Sequence, residues 1–304
     1  MSTSALAVSS ASARPIYTDE WRVQLRDFYS GRDREHYWAF DFAKAWAKFE
    51  RGVNQELDMA NLVGHWMDLK NARVLVIGSY LGSEAIAYAL RGAEVVGIDL
   101  DERALVLSKK LAEEYGVRLT LLSADASRTG FPDGSFDYIS CAQVLEHLPP
   151  EMQPRLLAEI WRVCKPGGLF WLDTPNHWAF RDHHDTGLPL IHWLPRALKV
   201  PLARALGRAV PDHEPAFGSE AVYLHYYLSY FSLNRILSSM GRFEILSRYR
   251  GYADIGHYRE VRQKQGRAKG TLFPIKAAAL QNVMRVWNFN WFSGIRLMVR
   301  KLPA

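Results

Sequence analysis

At 304 residues the chain can bury one large core or two modest ones, and 48% hydrophobic with 23% charged residues is the composition of an ordinary folded, soluble protein. No run of about 18 apolar residues occurs, which argues against a membrane span, and two cysteines, Cys141 and Cys164, argue against a disulfide framework and for a reducing compartment, hence the cytoplasm. The net charge of +6 is modest, but basic residues collect between Arg242 and Arg267 and in the closing "GIRLMVRKLPA". Such a bias can attract phosphates, an anionic membrane face or nucleic acid, although a solvated basic surface is the simpler account.

In chain order, residues 1–18 read as a loose tail: "MSTSALAVSSASARP" is rich in small polar residues, with neither a basic start nor a sustained apolar segment. Residues 19–70 carry a helical pattern, with Trp38, Phe42, Trp46 and Phe49 three or four apart, a stripe that packs against a core. From Arg73 strands and helices alternate. "RVLVIG" reads as a strand, "SEAIAYALRG" as a helix closed by Gly92, "EVVGIDL" as a strand, and "DERALVLSKKLAEEYG" as a helix closed by Gly116. Strands at "RLTLLSAD" and "FDYISCAQ", a helix around "MQPRLLAEIWRVC", the turn "KPGG" and the strand "LFWLDTPN" follow. This alternation predicts an α/β fold, a mostly parallel sheet covered by helices on both faces, with its ligand at one edge.

After Asn176 the alternation stops. Residues 177–230, rich in Pro, His and aromatics, are too long for a simple connection and are expected to form an inserted substrate cap. Residues 231–304 complete the sheet, with a helix at "SLNRILSSMG", strands at "RFEILSRYRG" and "GIRLMVRKL", and between them an amphipathic helix at "LFPIKAAALQNVMRVWNF".

The loop after the first strand, "GSYLGSE", needs glycines so that its backbone can approach a ligand in front of the next helix, and Gly78 and Gly82 serve that need. Asp99 ends the second strand 21 residues after Gly78, where a carboxylate can accept both hydroxyls of a ribose. Asp125, in "SADA", ends the third strand, within reach of the edge of a base. In this order, at strand ends, the two acids point to an adenosine-containing ligand.

From about Arg73 to Asn176 the chain resembles the class I S-adenosylmethionine-dependent methyltransferases, especially the group with the ubiquinone-pathway and sugar O-methyltransferases. The blocks that carry the resemblance are "VLVIGSYLG", "VVGIDLD", "LLSADA", "FPDGSFDYISCAQVLEHL" and "EIWRVCKPGGLFWLDTPN". It implies a Rossmann-like seven-stranded sheet with S-adenosyl-L-methionine as cofactor. Gly78, Ser79, Tyr80 and Gly82 would meet its methionine end, Asp99 its ribose, Asp125 and Ala126 its adenine, Leu100 would also contact the cofactor, and Gln143 would lie near the transferring methyl. The sequence departs from the family at Val76, where an acid is usual, and at Tyr80, where a glycine is usual.

Methyl transfer from an activated donor reduces to alignment and proton removal, and a sugar or alcohol hydroxyl benefits from a general base. The candidate bases are His147 in "QVLEHL" and the cluster His183, His184, Asp185 and His192 in "RDHHDTGLPLIHWLP", where an acid can orient an imidazole. This segment is similar to one in methyltransferases associated with surface glycans or glycolipids. No metal is expected, since Gln143 replaces the first acid of the E-x-x-E-H pattern that supports a divalent cation in some relatives. Trp178, Trp193, Tyr223, Tyr226, Tyr227 and Tyr230 suit stacking on sugar faces. Arg181, Arg196, Lys199, Arg204 and Arg208 suit a phosphate, or a basic helix resting peripherally on the inner face of an anionic membrane.

The expected function is therefore O-methylation of a hydroxyl on a sugar, glycolipid or related small metabolite. The alternatives are an O- or N-methyltransferase for a phenol, quinone precursor or natural product, and a non-catalytic cofactor-binding partner subunit. No nucleic-acid partner is expected, because the chain lacks an added RNA-binding module and has only a moderate basic bias.

Overall fold

A computed structural model describes residues 17–30, 41–182, 185–208, 225–247 and 294–303. Its centre is a seven-stranded sheet in the order β3-β2-β1-β4-β5-β7-β6, built from β1 (Arg73–Ile77), β2 (Glu94–Asp99), β3 (Thr120–Ser123), β4 (Phe136–Ala142), β5 (Cys164–Pro175), β6 (Phe243–Ser247) and β7 (Gly294–Lys301). Each neighbouring pair from β3 to β5 is parallel, and β7 runs antiparallel between β5 and β6. The chain order reverses direction across the sheet between β1 and β4, so the crevice at the carboxyl ends of those strands is the natural ligand position.

The unbroken apolar run of β1 follows from its central place, since both faces are covered. Leu75 and Ile77 join a core with Phe136, Ile139, Leu156 and Leu233, whereas Val74 and Val76 point the other way, among Ala60, Val63, Ala85 and Tyr88. The first side is covered by α5 (Gln153–Val163) and α7 (Tyr230–Met240), the second by α2 (Phe42–Val63) and α3 (Ser83–Ala89). On α5 the buried residues Leu156, Leu157, Ile160 and Val163 keep helical spacing, each contributing roughly 1.5–3 kcal/mol of burial.

Local chemistry sets the ends of the helices. Asp101 caps α4 (Glu102–Glu114) by accepting from the Ala104 amide, and Gly116 at φ 66° closes it in the left-handed conformation that glycine tolerates. Asp41 caps α2 by accepting from the Ala43 amide at 2.9 Å. The helical stripe near the N-terminus does pack inward: Trp21, Leu25 and Phe28 of α1 (Asp19–Tyr29) and Phe49 and Val53 of α2 meet Leu111 and Ala112 of α4, with Phe42 and Trp46 alongside. Trp38, the other member of that stripe, lies outside the described residues.

One expectation changes. "KPGG" is not a separate turn before the fifth strand but part of β5, which pairs first as Phe136 with Cys164 and then jumps register to Tyr138 with Leu169. The excursion is pinned by Lys165, whose ammonium lies 2.6 Å from Asp137 Oδ1, while Asp137 Oδ2 accepts from the Arg73 amide. The helix expected at "LFPIKAAALQNVMRVWNF" lies outside the described residues. Among the described residues no helix is long and apolar enough to cross a membrane.

Candidate active site

The loop leaving β1 turns through three left-handed residues: Gly78 (φ 71°), Tyr80 (φ 45°) and Gly82 (φ 82°). A side chain at Gly78 would place its Cβ 2.5 Å from Val144 Cγ2, so glycine there is a requirement of space as well as conformation. The amides of Gly78 and Ser79 both donate to the Ile98 carbonyl at 2.9 Å, which ties the loop to the end of β2.

Tyr80 holds the left-handed geometry without being glycine because its neighbours fix it. Its amide donates to Asp99 Oδ2 at 2.8 Å, its ring meets Phe28 edge-on at 5.6 Å, and its hydroxyl donates to the Tyr29 hydroxyl at 3.3 Å. The tyrosine therefore anchors the N-terminal helix α1 over the loop.

Asp99 accepts one backbone donor on each oxygen, from Tyr80 on Oδ2 and from Asp101 on Oδ1 at 2.9 Å. A carboxylate oxygen has two lone-pair sites, so this cradle orients the group and leaves each oxygen acceptor capacity for a vicinal diol. Beside it Leu100 is 47% exposed, an apolar surface suited to a flat ring. Asp125 is exposed beyond the end of β3, with Oδ1 accepting from the Ser127 amide, and Ala126 packs against the main core. Gln143, exposed at the end of β4, is another left-handed non-glycine residue (φ 57°), and its amide donates to the Asp173 carbonyl at 2.7 Å. Gly78, Asp99, Asp125 and Gln143 thus stand at the carboxyl edge of successive strands, as expected from the sequence.

Val76, where an acid was expected, is buried in β1 opposite Ser140 of β4. The Ser140 hydroxyl donates to Glu84 Oε1 at 2.5 Å, and the Tyr88 hydroxyl donates to the same oxygen at 2.8 Å. Glu84, from the first turn of α3, therefore brings a carboxyl to the face of the sheet where Val76 lacks one. Burial raises its pKa, against the two hydroxyl donors that lower it. Glu56 on α2 is raised to about 7, first by burial and then by the nearby Glu84.

The segment after β4 is a single turn of 3-10 helix, Leu145–His147. Glu146 is fully buried, with Oε2 accepting from the Thr174 hydroxyl and its carbonyl accepting from the Tyr226 amide. His147 begins a chain of contacts that joins three distant segments. Its Nδ1 lies 3.1 Å from His225 Nε2, the two rings stand at 87° with centroids 4.4 Å apart, and His225 Nδ1 hydrogen-bonds Asp185 Oδ1. Asp185 Oδ2 accepts from the His225 amide at 3.0 Å and lies 3.9 Å from Lys199 Nζ.

A second carboxylate, Asp182, orders the same region. It accepts from the Asp185 amide, from the Thr186 amide and hydroxyl, and from the Tyr227 hydroxyl at 2.6 Å. Burial, followed by Asp185 and Asp182, drives the Tyr227 pKa upward and keeps the phenol protonated. His192 is buried with its ring 5.5 Å from that of Tyr227 and 6.2 Å from that of His177, and burial lowers its pKa. It therefore stands in this aromatic group, not in the chain that ends at His147.

Of the proposed histidine cluster, then, Asp185 pairs with a histidine, but that histidine is His225, which the sequence reading did not single out. His183 and His184 lie outside the described residues, as does Tyr223. Two other expectations need correction. Tyr230 is 3% exposed within the main core and is not a stacking surface, whereas Trp178 and Trp193 are 40% and 43% exposed. Lys199 is buried and turned toward Asp185 and the Tyr227 ring, so it does not face outward to a phosphate. Nothing local in "VYLHYYL" marks His225, because its partners lie 40 and 78 residues away in sequence.

The sheet order is that of a fold shared with S-adenosylmethionine-dependent methyltransferases of known structure, and within it the glycine loop faces a strand-end aspartate. More particularly, residues 75–172 match the methyltransferase domain family model. The chain is 34% identical over 125 residues to a ubiquinone biosynthesis O-methyltransferase of Pseudomonas putida (strain W619), covering 39% of this chain and 53% of that protein. It is 36% identical over 118 residues to the protein of the same name from Azoarcus sp. (strain BH72), covering 36% and 49%. The chain thus spans about half the length of the curated relatives it matches.

Among solved structures, a S-adenosylmethionine-dependent methyltransferase from Mesorhizobium loti shares the fold with a TM-score of 0.51 at 16% identity, over 82% of this chain and 99% of that one. Magnesium protoporphyrin IX methyltransferase from Synechocystis PCC 6803, solved with bound S-adenosylmethionine, has a TM-score of 0.50 at 17% identity, over 92% and 96%.

Proposed function

We propose that this chain binds S-adenosyl-L-methionine and transfers its methyl group to a hydroxyl of a sugar, glycolipid or related small metabolite, with His147 as general base. The observation that carries the reading is the loop from Gly78 to Gly82 locked onto Asp99, because the same two backbone donors that order the carboxylate leave it acceptor capacity for a ribose diol. The residues fit the cofactor in other respects: Gly78 has no room for a side chain, Leu100 offers an exposed apolar face beside Asp99, and Asp125 follows at the next strand end. Bound there, the cofactor supplies an electrophilic methyl carbon on a sulfonium.

What remains for this chain is to hold the acceptor in line, exclude water and take up a proton. Residues 177–230 are read as the acceptor cap, with Trp178 and Trp193 as its half-exposed aromatic surface. Leu198 and Leu202 of α6 (Arg196–Ala205), with Leu206 just beyond, follow one another at four-residue spacing and are 58%, 42% and 55% exposed. That apolar ridge supports a lipid-linked acceptor met at the cytoplasmic face of a membrane. A second reading, methylation of a phenolic quinone precursor, is favoured by the activity that names the Pseudomonas and Azoarcus relatives. Two observations favour the catalytic reading over a non-catalytic one: Glu84 brings a carboxyl to the face on which Val76 lies, and the left-handed Tyr80 is held by its neighbours.

The test is incubation of the full chain with isotopically labelled cofactor and a panel of glycans, glycolipids, phenols and amines, read by mass spectrometry. Label on a sugar or glycolipid oxygen supports the reading, label only on phenols selects the second one, and label only on amines overturns both.

A further inference from the structure

Behind His147 lie two buried, hydrogen-bonded titratable groups, Asp185 and His225. Asp185 is 2% exposed and His225 9%, and both come from the segment after β5, while His147 comes from the turn after β4. That turn touches the cofactor loop directly: His147 donates its amide to the Val144 carbonyl at 3.0 Å, and Val144 is the residue that fills the space against Gly78. The chain of contacts therefore ends beside the crevice where the methyl group would be presented.

We propose that Asp185 and His225 are positioning residues that fix the tautomer of His147 and share the positive charge it acquires during methyl transfer; this rests on the function proposed above. The proton placement follows from the contacts. Asp185 also accepts the His225 amide and lies near Lys199, an environment that keeps it ionised and an acceptor. The bond at His225 Nδ1 therefore requires a proton on that nitrogen. In a neutral His225 the Nε2 atom is then an acceptor, and the contact at 3.1 Å is made by a proton on His147 Nδ1. The lone pair of His147 is thereby set on Nε2, the state a general base needs.

In the reaction the acceptor oxygen bonds to the methyl carbon as the carbon–sulfur bond breaks, its electron pair staying on sulfur, and the hydroxyl proton passes to His147 Nε2. The resulting imidazolium donates through Nδ1 to His225, whose own Nδ1 proton is held by Asp185. Three groups thus carry one added charge in a site where an unpaired one would be costly. Asp182 steadies this arrangement by accepting the Asp185 amide, and Lys199 lies 3.9 Å from Asp185 Oδ2 to offset its buried charge.

Two measurements decide the proposal. In histidine-labelled full-length protein, nitrogen NMR reads the tautomers without any acceptor. The expected result is Nδ1–H on both His147 and His225 in the wild type, with the His147 signal reverting to a tautomer mixture in Asp185→Asn. A dominant Nε2–H form of His147 in the wild type overturns the proposal, whether or not an acceptor has been found.

With an acceptor in hand, His147→Gln is expected to lower kcat by about 10²–10⁴-fold and Asp185→Asn and His225→Gln by about 10²-fold or more, with cofactor affinity unchanged. The double variant of His147→Gln with Asp185→Asn should be no slower than His147→Gln alone. All of these losses should shrink as the acceptor hydroxyl becomes more acidic. Additive losses that do not vary with acceptor acidity mark a merely structural role and overturn the relay. Failure of the wild type to bind cofactor or transfer methyl overturns the proposed function instead, leaving the NMR result to stand by itself.

Discussion

Replacing Glu56 by glutamine removes the charge of one of two neighbouring carboxyls, Glu56 on α2 and Glu84 on α3. In the folded chain Glu56 is raised from 4.5 to about 7, chiefly by burial and then by Glu84, with Lys48 opposing. A carboxyl whose folded value lies above its unfolded value binds its proton more tightly in the native state. The stability it contributes is therefore complete below about pH 4.5 and is lost as the pH rises through about 7. The interval corresponds to roughly 3 kcal/mol if the whole shift is expressed. Glutamine keeps the shape and carries no charge, so Glu56→Gln should gain on the wild type with rising pH, by about 2–3 kcal/mol at pH 8 relative to the difference at pH 4.5. Urea unfolding of both proteins across that range measures it. A difference between the two proteins that stays constant with pH would refute the burial of Glu56 and its proximity to Glu84.

Other perturbations test the loop itself. Tyr80→Gly relieves a left-handed non-glycine residue, worth about 1 kcal/mol, and loses an edge-on contact with Phe28 worth about 0.5–1.5 kcal/mol. The melting temperature should then change by less than about 5 °C and cofactor affinity by less than about threefold, whereas complete loss of binding would make the ring itself a cofactor contact. Gly78→Ala drives a Cβ to 2.5 Å from Val144 Cγ2 and should weaken cofactor binding by about tenfold or more. Adding Val144→Ala should recover part of that loss in the same binding titration, and no recovery would mean that the crowding is not with Val144.

The sheet was legible in the sequence because its signals are local. The apolar run of β1, the Gly116 stop after α4 and the aspartates at the ends of β2 and β3 each act within a few residues, and the structure places them accordingly. "KPGG" misled because glycines that ordinarily mark a turn here serve a register jump, where a side chain at Gly168 would meet the Asp137 carbonyl at 3.0 Å. The catalytic candidates were only half legible. An acid beside histidines in "RDHHDTG" suggested a local pair, but the bond runs from Asp185 to His225 and on to His147, set by the return of the chain across the end of β4. Lys199 and Tyr230 look like surface residues by type, and their turning inward is decided by Asp185 and by the main core respectively. Glu84 was not visible as a carboxyl on the face of Val76, because the two residues share no periodic pattern and are linked across the sheet by Ser140.

The strand-end loop and Asp99 are proposed to form an S-adenosylmethionine site. Titration calorimetry of the full chain with S-adenosylmethionine, for the wild type and Asp99→Ala, tests it without reference to any acceptor. Asp99 would accept both ribose hydroxyls, and hydrogen bonds to a charged group contribute about 1.5–3 kcal/mol. One cofactor per chain is expected, bound at least about tenfold more weakly by Asp99→Ala. Absence of binding to the wild type, or equal affinity in the two proteins, would contradict it.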